Sequence, residues 1–341
     1  MIIYINEILI IGFMYHGELR IFALESTRDF GEEVCKNIRH KLRSSIDKNF
    51  PDGESYAQPA EDVRGKDVFV IQSLHNIGEE RVDTKLAKLI IYNIAALRAS
   101  AGRITNVIPY HAYTRQDRKA QSRAPLSFKA MAKALVANGA NRILSMDWHN
   151  PAVENAYDIP VDLLSPVKEI TSYLKTRLED EEKIVALAPD VGATSRNEYL
   201  AHRLSKSLER EVDLAVTFKK RKDEKQTNAA KIIGDVDGAI VIIYDDESVT
   251  GSSLIGAFEL AKKMGAKRGI AIVTHGKFTD EGISRLKNSD LEEIIVTDTV
   301  WRPASFFKEH SKFTNVSVAQ LFGEAIQRIH NSESISCLFD E

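Results

Sequence analysis

The chain has 341 residues, 43% of them hydrophobic and 28% charged, with a formal net charge of −3. The length suggests two domains of ordinary size, and the composition is that of a globular protein with a sizeable core. A slightly acidic balance gives no electrostatic case for nucleic acid or an anionic membrane as partner, and two distant cysteines, Cys35 and Cys337, fit a reducing, cytoplasmic setting without a disulfide framework.

The first fourteen residues are apolar but too short for a spanning helix, and they lack the basic start of a signal peptide. Their alternation reads as an extra strand or hairpin. Beyond them, short β-branched runs predict strands at 20–24, 68–72, 104–109, 143–146, 184–188, 214–218, 240–244, 270–274 and 293–297. Helical spacing of apolar residues predicts helices at 27–46, 84–99, 127–138, 166–178, 195–208, 253–264 and 280–287. A last helix is expected at 318–329 and a short closing strand at 335–338. Such alternation argues for an α/β fold of mainly parallel sheets flanked by helices. Asp158-Ile159-Pro160 and Ser165-Pro166 read as the hinge between two similar halves. The expected division is an N-terminal domain over 1–165, joined by the terminal helix and strand of 314–341, and a C-terminal domain over 166–313. The aromatic, basic stretch 301–313 is open between a surface insertion, a helix and a contact with ligand or partner.

Residues 244–253, Y-D-D-E-S-V-T-G-S-S, carry the most chemistry. A strand ends in Asp245 and Asp246, and Thr250, Gly251, Ser252 and Ser253 then offer hydroxyls and a permissive backbone before a helix. Such a loop can aim N–H and O–H groups at a phosphate, while the two acids suit sugar hydroxyls or magnesium. Read alone, it could equally be an ordinary strand-to-helix turn with two solvated acids. Basic clusters at Arg115, Arg118, Lys119 and Arg123, and at Lys219, Lys220, Arg221, Lys222 and Lys225, fit a polyanionic small molecule better than a polymer. Phe50-Pro51-Asp52-Gly53-Glu54 offers an aromatic face and carboxylates to an adenine base, with core packing the plainer account of Phe50. His149, in M-D-W-H, could hold metal or metal-bound phosphate, with a structural histidine the plainer account, and Asp190, after the 184–188 run, offers one more carboxylate.

In order, F-P-D-G-E, R-Q-D-R-K…S-R-A-P, D-W-H, P-D-V-G, K-K-R-K and D-D-x-x-x-T resemble the ribose-phosphate diphosphokinases, the phosphoribosyl pyrophosphate synthetase family, from about Leu19 to Phe339. The resemblance implies two type I phosphoribosyltransferase-like domains, a soluble homo-oligomer built from dimers, up to a hexamer, and dependence on Mg2+. It implies that Phe50, Asp52, Glu54, Arg115, Gln116 and Asp117 bind ATP, and that His149 and Asp190 place the metal. Lys219 and Arg221 match the catalytic loop, with His149 beside the reaction. Asp245, Asp246 and 250–253 match the ribose-phosphate site, and Ser122 and Arg123 a regulatory phosphate position. The implied reaction moves the β,γ-diphosphoryl group of ATP to an anomeric ribose hydroxyl and releases AMP.

The family's sugar-phosphate loop usually reads D-D-x-x-D-T-x-G-T, whereas Val249 here replaces an acid, glycine has moved to 251, and Ser252 adds a side chain. That departure favours an acceptor with a capped 5′-phosphate, namely ADP-ribose, whose product would serve NAD resynthesis. Free ribose 5-phosphate is the alternative acceptor. A phosphoribosyltransferase and a non-catalytic regulatory homologue are rival readings.

Overall fold

A computed structural model describes residues 3–5, 8–10, 16–76, 78, 80–116, 121–181, 183–219 and 230–338. Contacts divide the chain into one unit of Met1–Ser145, Asn150–Leu164 and Ala319–Glu341, and a second of Met146–His149 and Ser165–Val318.

In the first unit, β1 (Ile3–Ile5) and β2 (Ile8–Ile10) form an antiparallel hairpin, one of the forms expected of the apolar N-terminus. The remaining strands are β3 (Leu19–Ala23), β4 (Leu42–Arg43), β5 (Ser45–Asn49), β6 (Ser55–Pro59), β7 (Asp67–Ile71), β8 (Arg103–Ile108), β9 (Arg142–Met146) and β10 (Val161–Leu164). Six of them form a sheet in the order β10-β9-β8-β7-β3-β4, with β5 and β6 pairing apart as a second hairpin. The pairings from β4 through β9 are parallel, so helices must cross over between strands. These helices are α1 (Arg28–Asn37), α2 (Val82–Arg98) and α3 (Ser127–Ala137). Every residue of β7, Asp-Val-Phe-Val-Ile, is buried, as a strand covered on both faces requires.

The terminal helix, Ala319–His330, returns to this unit and packs on α1, where Phe30 meets Phe322 edge-on at 5.5 Å. Its end is fixed by Asp67: the buried carboxylate accepts from Arg103 at 2.6 Å and lies 2.8 Å from His330 Nδ1. Two expectations are corrected. The helix expected over 27–46 stops at Asn37, because Arg39 takes a left-handed backbone (φ 53°) and residues 42–43 and 45–49 are strands. The closing strand expected at 335–338 is a 3-10 turn, Ser336–Leu338.

Among its described residues the second unit has seven strands, β11 (Ile184–Ala188), β12 (Asp213–Lys219), β13 (Ala230–Ile233), β14 (Ile240–Ser248), β15 (Arg268–Gly276), β16 (Glu293–Thr297) and β17 (Phe313–Val316), in the order β13-β12-β11-β14-β15-β16-β17. Only the β12–β13 pair is antiparallel. Helices α4 (Val167–Leu178), α5 (Thr194–Leu208), α6 (Ser252–Lys263), α7 (Asp280–Asn288) and α8 (Ala304–Glu309) complete it. Alternation along β14 sends Val241 and Ile243 into one core and Ile240, Ile242 and Tyr244 into another. Strand β17 belongs here through its pairing with β16, not with the terminal helix as the expected division had it. The 301–313 stretch holds α8, whose Phe306 and Phe307 pack on the first of these cores. Among the described residues, no helix is long and apolar enough to cross a membrane.

Candidate active site

The carboxyl ends of β11, β14 and β15 collect the second unit's polar residues, as parallel sheets lead one to expect. Strand β14 continues four residues past the expected end, pairing Asp245 with Val273, Glu247 with His275 and Ser248 with Gly276. His275 is buried, with Nε2 3.2 Å from the carbonyls of Met146 and Asp147 and Nδ1 2.8 Å from the Thr299 hydroxyl. Carbonyls only accept, so Nε2 donates to them and holds segment 146–149 against β15.

Asp147 is the hub of this segment, in a left-handed backbone conformation at φ 41°. One carboxylate oxygen accepts from Arg196 Nη2 at 3.0 Å and Nε at 3.3 Å; the other accepts from Tyr244 at 2.9 Å and from the Thr274 hydroxyl. With both oxygens engaged, Asp147 acts as an anchor. Two residues on, His149 Nδ1 lies 3.0 Å from Asp246 Oδ2, and Arg196 Nη1 lies 3.8 Å from Asp246 Oδ1. The sequence places Asp147 at a strand end but assigns it no role, and it does not single out Arg196, for which the position six after Asp190 was the available signal.

Burial works against ionising Asp246, but the His149 hydrogen bond and the Arg196 charge outweigh it and hold the carboxyl below the usual range. Asp245 shifts the other way, pushed up by burial and then by the neighbouring Asp246 charge. Burial also opposes the Arg196 charge, and Asp147 and Asp246 more than offset that. Asp190 contributes a further negative charge toward Asp245, and its Oδ1 accepts the Ala193 N–H at 3.2 Å, capping a short 3-10 turn. Glu247, another residue not anticipated, is buried and paired with Lys277 at 2.7 Å.

The loop after β14 is tightly framed. Gly251 has φ 71°, its N–H donates to Ser248 Oγ at 3.1 Å, and a Cβ there would lie 2.6 Å from Leu286 Cγ. A Cβ at Gly282 of α7 would lie 2.5 Å from the Val249 carbonyl oxygen, which accepts from Thr279 N–H at 3.1 Å. Thr250 and Ser252 are exposed, their hydroxyls 3.0 Å apart, and Arg285 donates to Ser252 Oγ at 3.3 Å. Ser252 and Ser253 open α6, so hydroxyls, helix N–H groups and an arginine share one end of the helix.

In the first unit, Phe50, Asp52 and Glu54 lie in the turn between β5 and β6. Phe50 is 39% exposed, which removes core packing as its role. Its ring meets Tyr56 edge-on at 6.1 Å with Lys48 Nζ 4.8 Å from its centroid. Asp52 accepts the Glu54 N–H at 3.1 Å, and Gly53 supplies the left-handed residue at φ 93°. Arg115 and Gln116 are exposed in a different turn, after β8, where Gln116 N–H donates to Tyr113 O at 2.8 Å. Ser122 and Arg123 are exposed, Arg123 at φ 65°. Asp117, Arg118, Lys119, Lys220, Arg221, Lys222 and Lys225 lie outside the described residues, as does the side chain of Lys219, the last residue of β12.

Two family models match the chain: the N-terminal domain of ribose phosphate pyrophosphokinase over residues 19–139, and the phosphoribosyl synthetase-associated domain over 186–340. The ribose-phosphate pyrophosphokinase of Clostridium acetobutylicum is 37% identical over 327 residues, covering 96% of this chain and 99% of the relative. This chain belongs to the ribose-phosphate pyrophosphokinase family, a family of diphosphotransferases. The Thermotoga maritima pyrophosphokinase is 36% identical, covering 95% of this chain and 99% of its own. The crystal structure of phosphoribosylpyrophosphate synthetase from Mycobacterium smegmatis superposes with a TM-score of 0.83 at 31% identity, covering 92% of this chain and 99% of that one. With both family domains matched, a phosphoribosyltransferase is no longer a rival.

Proposed function

We propose that the protein transfers the β,γ-diphosphoryl group of ATP to the anomeric hydroxyl of a ribose 5-phosphate moiety, releasing AMP. The observation that carries this is the β14 end, where an ionised Asp246 and its partner Asp245 stand beside a hydroxyl-lined loop opening α6. The acids suit the ribose diol and the loop suits the 5′-phosphate. Phe50, Asp52 and Glu54 take the adenosine, Arg115 and Gln116 the ATP phosphates and base, and Asp117 belongs to the same ATP-binding segment. Lys219 and Arg221 meet charge developing on the transferred group. Little covalent help is needed, so catalysis is positioning and charge stabilisation.

Among the described residues no three acidic, histidine or cysteine side chains gather closely enough to hold a metal ion by themselves, so a magnesium ion here would be shared with the ATP phosphates. Asp246 Oδ1 is buried and accepts no hydrogen bond, and the repulsion between Asp245, Asp246 and Asp190 is of the kind a hard cation relieves. His149 and Asp190 are the residues that would meet such an ion, which when bound neutralises phosphate charge.

Free ribose 5-phosphate is the acceptor closest to the names of the relatives. A second acceptor, ADP-ribose, is favoured by one feature: Val249 and Ser252 project exposed side chains at the loop in place of an acid and a glycine. The test is AMP formation by purified protein with ATP and magnesium, offered each acceptor separately. Turnover of ribose 5-phosphate alone dismisses the second reading, a preference for ADP-ribose establishes it, and AMP from neither overturns the reaction itself.

A further inference from the structure

Among the described residues, the hairpin that carries Phe50, Asp52 and Glu54 pairs only with itself, since β5 and β6 form a two-stranded sheet separate from the six-stranded one. An isolated hairpin is at best marginally stable in water, so side-chain contacts must decide where its turn is held. Lys88, on the buried face of α2 that also carries Lys85, Leu89, Tyr92 and Asn93, supplies one. Its side chain is 3% exposed, and its ammonium lies 2.5 Å from Asp47 of β5 and also bonds Glu80, just ahead of α2.

Both carboxylates pass the restraint on. Asp47, itself 2% exposed at the side chain, accepts the Glu25 N–H at 2.8 Å, tying β5 to the segment after β3. Glu80 accepts from the Asn49 side-chain amide at 3.2 Å, at the residue preceding Phe50. A cavity of about 710 Å³, lined by Asp47, Asn49, Glu80, Arg81 and Lys88 among others, opens beside this cluster, so close packing does not fix the hairpin on that side. Burial disfavours the Lys88 ammonium, but its bonds to Asp47 and Glu80 keep it charged. Placing one cation and two carboxylates out of water is a poor route to stability, and its best-attested use is to fix registry.

We propose that Lys88 is a positioning residue that, through Asp47 and the Glu80–Asn49 contact, sets the adenosine-binding turn at Phe50–Glu54. This rests on the reading that the turn takes ATP. The ammonium touches no substrate; it acts through the strand that leads into the turn.

The experiment measures KM for ATP and for the ribose acceptor, kcat and thermal midpoint in the full-length protein, its F50A variant and its K88M variant. Positioning raises KM for ATP about tenfold in K88M while the acceptor KM stays within about twofold, and K88R recovers part of the loss. If K88M does not fold, E80Q, which leaves the Lys88–Asp47 pair in place, is read in the same way. A lowered midpoint with unchanged KM for ATP would make the cluster merely structural and overturn the inference, provided F50A raises that KM. An F50A protein with unaltered KM for ATP would instead remove the reading of the turn, and the inference with it.

Discussion

His149 Nδ1 lies 3.0 Å from Asp246 Oδ2, joining the 146–149 segment to the end of β14. The contact orients the imidazole and helps keep the carboxylate ionised. D246N preserves the shape but removes the charge, and a loss of about 100-fold in kcat/KM for the ribose acceptor is expected. Steady-state assays check this; a loss under threefold would deny Asp246 a place beside the sugar.

Arg196 answers both Asp147 and Asp246, and its side chain is 14% exposed. R196M leaves two mostly buried carboxylates without their cation, a type of change that costs about 3–5 kcal/mol of stability. Urea titration of variant and parent measures the difference. Equal midpoints would show that Asp147 and Asp246 are screened by something other than this guanidinium.

Gly251 occupies a left-handed turn with Leu286 pressed against its α-carbon. G251A should lose about 1–3 kcal/mol from strain and overpacking and raise KM for the ribose acceptor by moving the Thr250 and Ser252 hydroxyls. An unaltered KM would separate the loop from acceptor binding.

His111 is wholly buried, with Nδ1 2.8 Å from the Ala112 carbonyl and Nε2 2.6 Å from the Tyr157 hydroxyl, and burial depresses its pKa to about 4. The unfolded chain takes up this proton below pH 6.5 and the folded one only near pH 4. Its contribution to stability is therefore intact above pH 6.5 and is lost as pH falls toward 4, by about 3 kcal/mol in all. The stability gap between parent and H111Q should narrow by about 2 kcal/mol between pH 7 and pH 4.5. A gap independent of pH would mean His111 charges freely in the fold.

The loop itself offers a specificity test. V249D/S252G restores the family's usual acid and glycine, and if the exposed side chains favour a capped 5′-phosphate, the ratio of kcat/KM for ribose 5-phosphate over ADP-ribose should rise about tenfold. An unchanged ratio removes these two side chains as determinants.

The α/β plan was legible because runs such as 240–244 are unbroken β-branched stretches fit for a doubly covered strand. Strand β14 runs past the end its sequence suggests: Asp-Asp-Glu-Ser is poor strand sequence, held extended by pairing with β15. The β5–β6 hairpin was hidden for a related reason: Ser-Ile-Asp-Lys-Asn lacks clear alternation, and α1 ends without a glycine, using Arg39 for the left-handed step. Asp245, Asp246 and the 250–253 loop could be picked out by local pattern. Asp147 could be placed at a strand end, but its role and Arg196 could not be found, since their partnership spans 49 residues and exists only once β14, β15 and α5 are in place.

The glycines at 251 and 282 make the loop backbone and α7 interlock, while the side chains of 249, 250 and 252 face outward. Frame and lip are therefore separable. Variation confined to those three positions can re-cut the mouth of the proposed sugar-phosphate socket without disturbing the masonry behind it. A library built there would search acceptor preference on an intact fold, whereas one that included 251 or 282 would spend most of its members on misfolding.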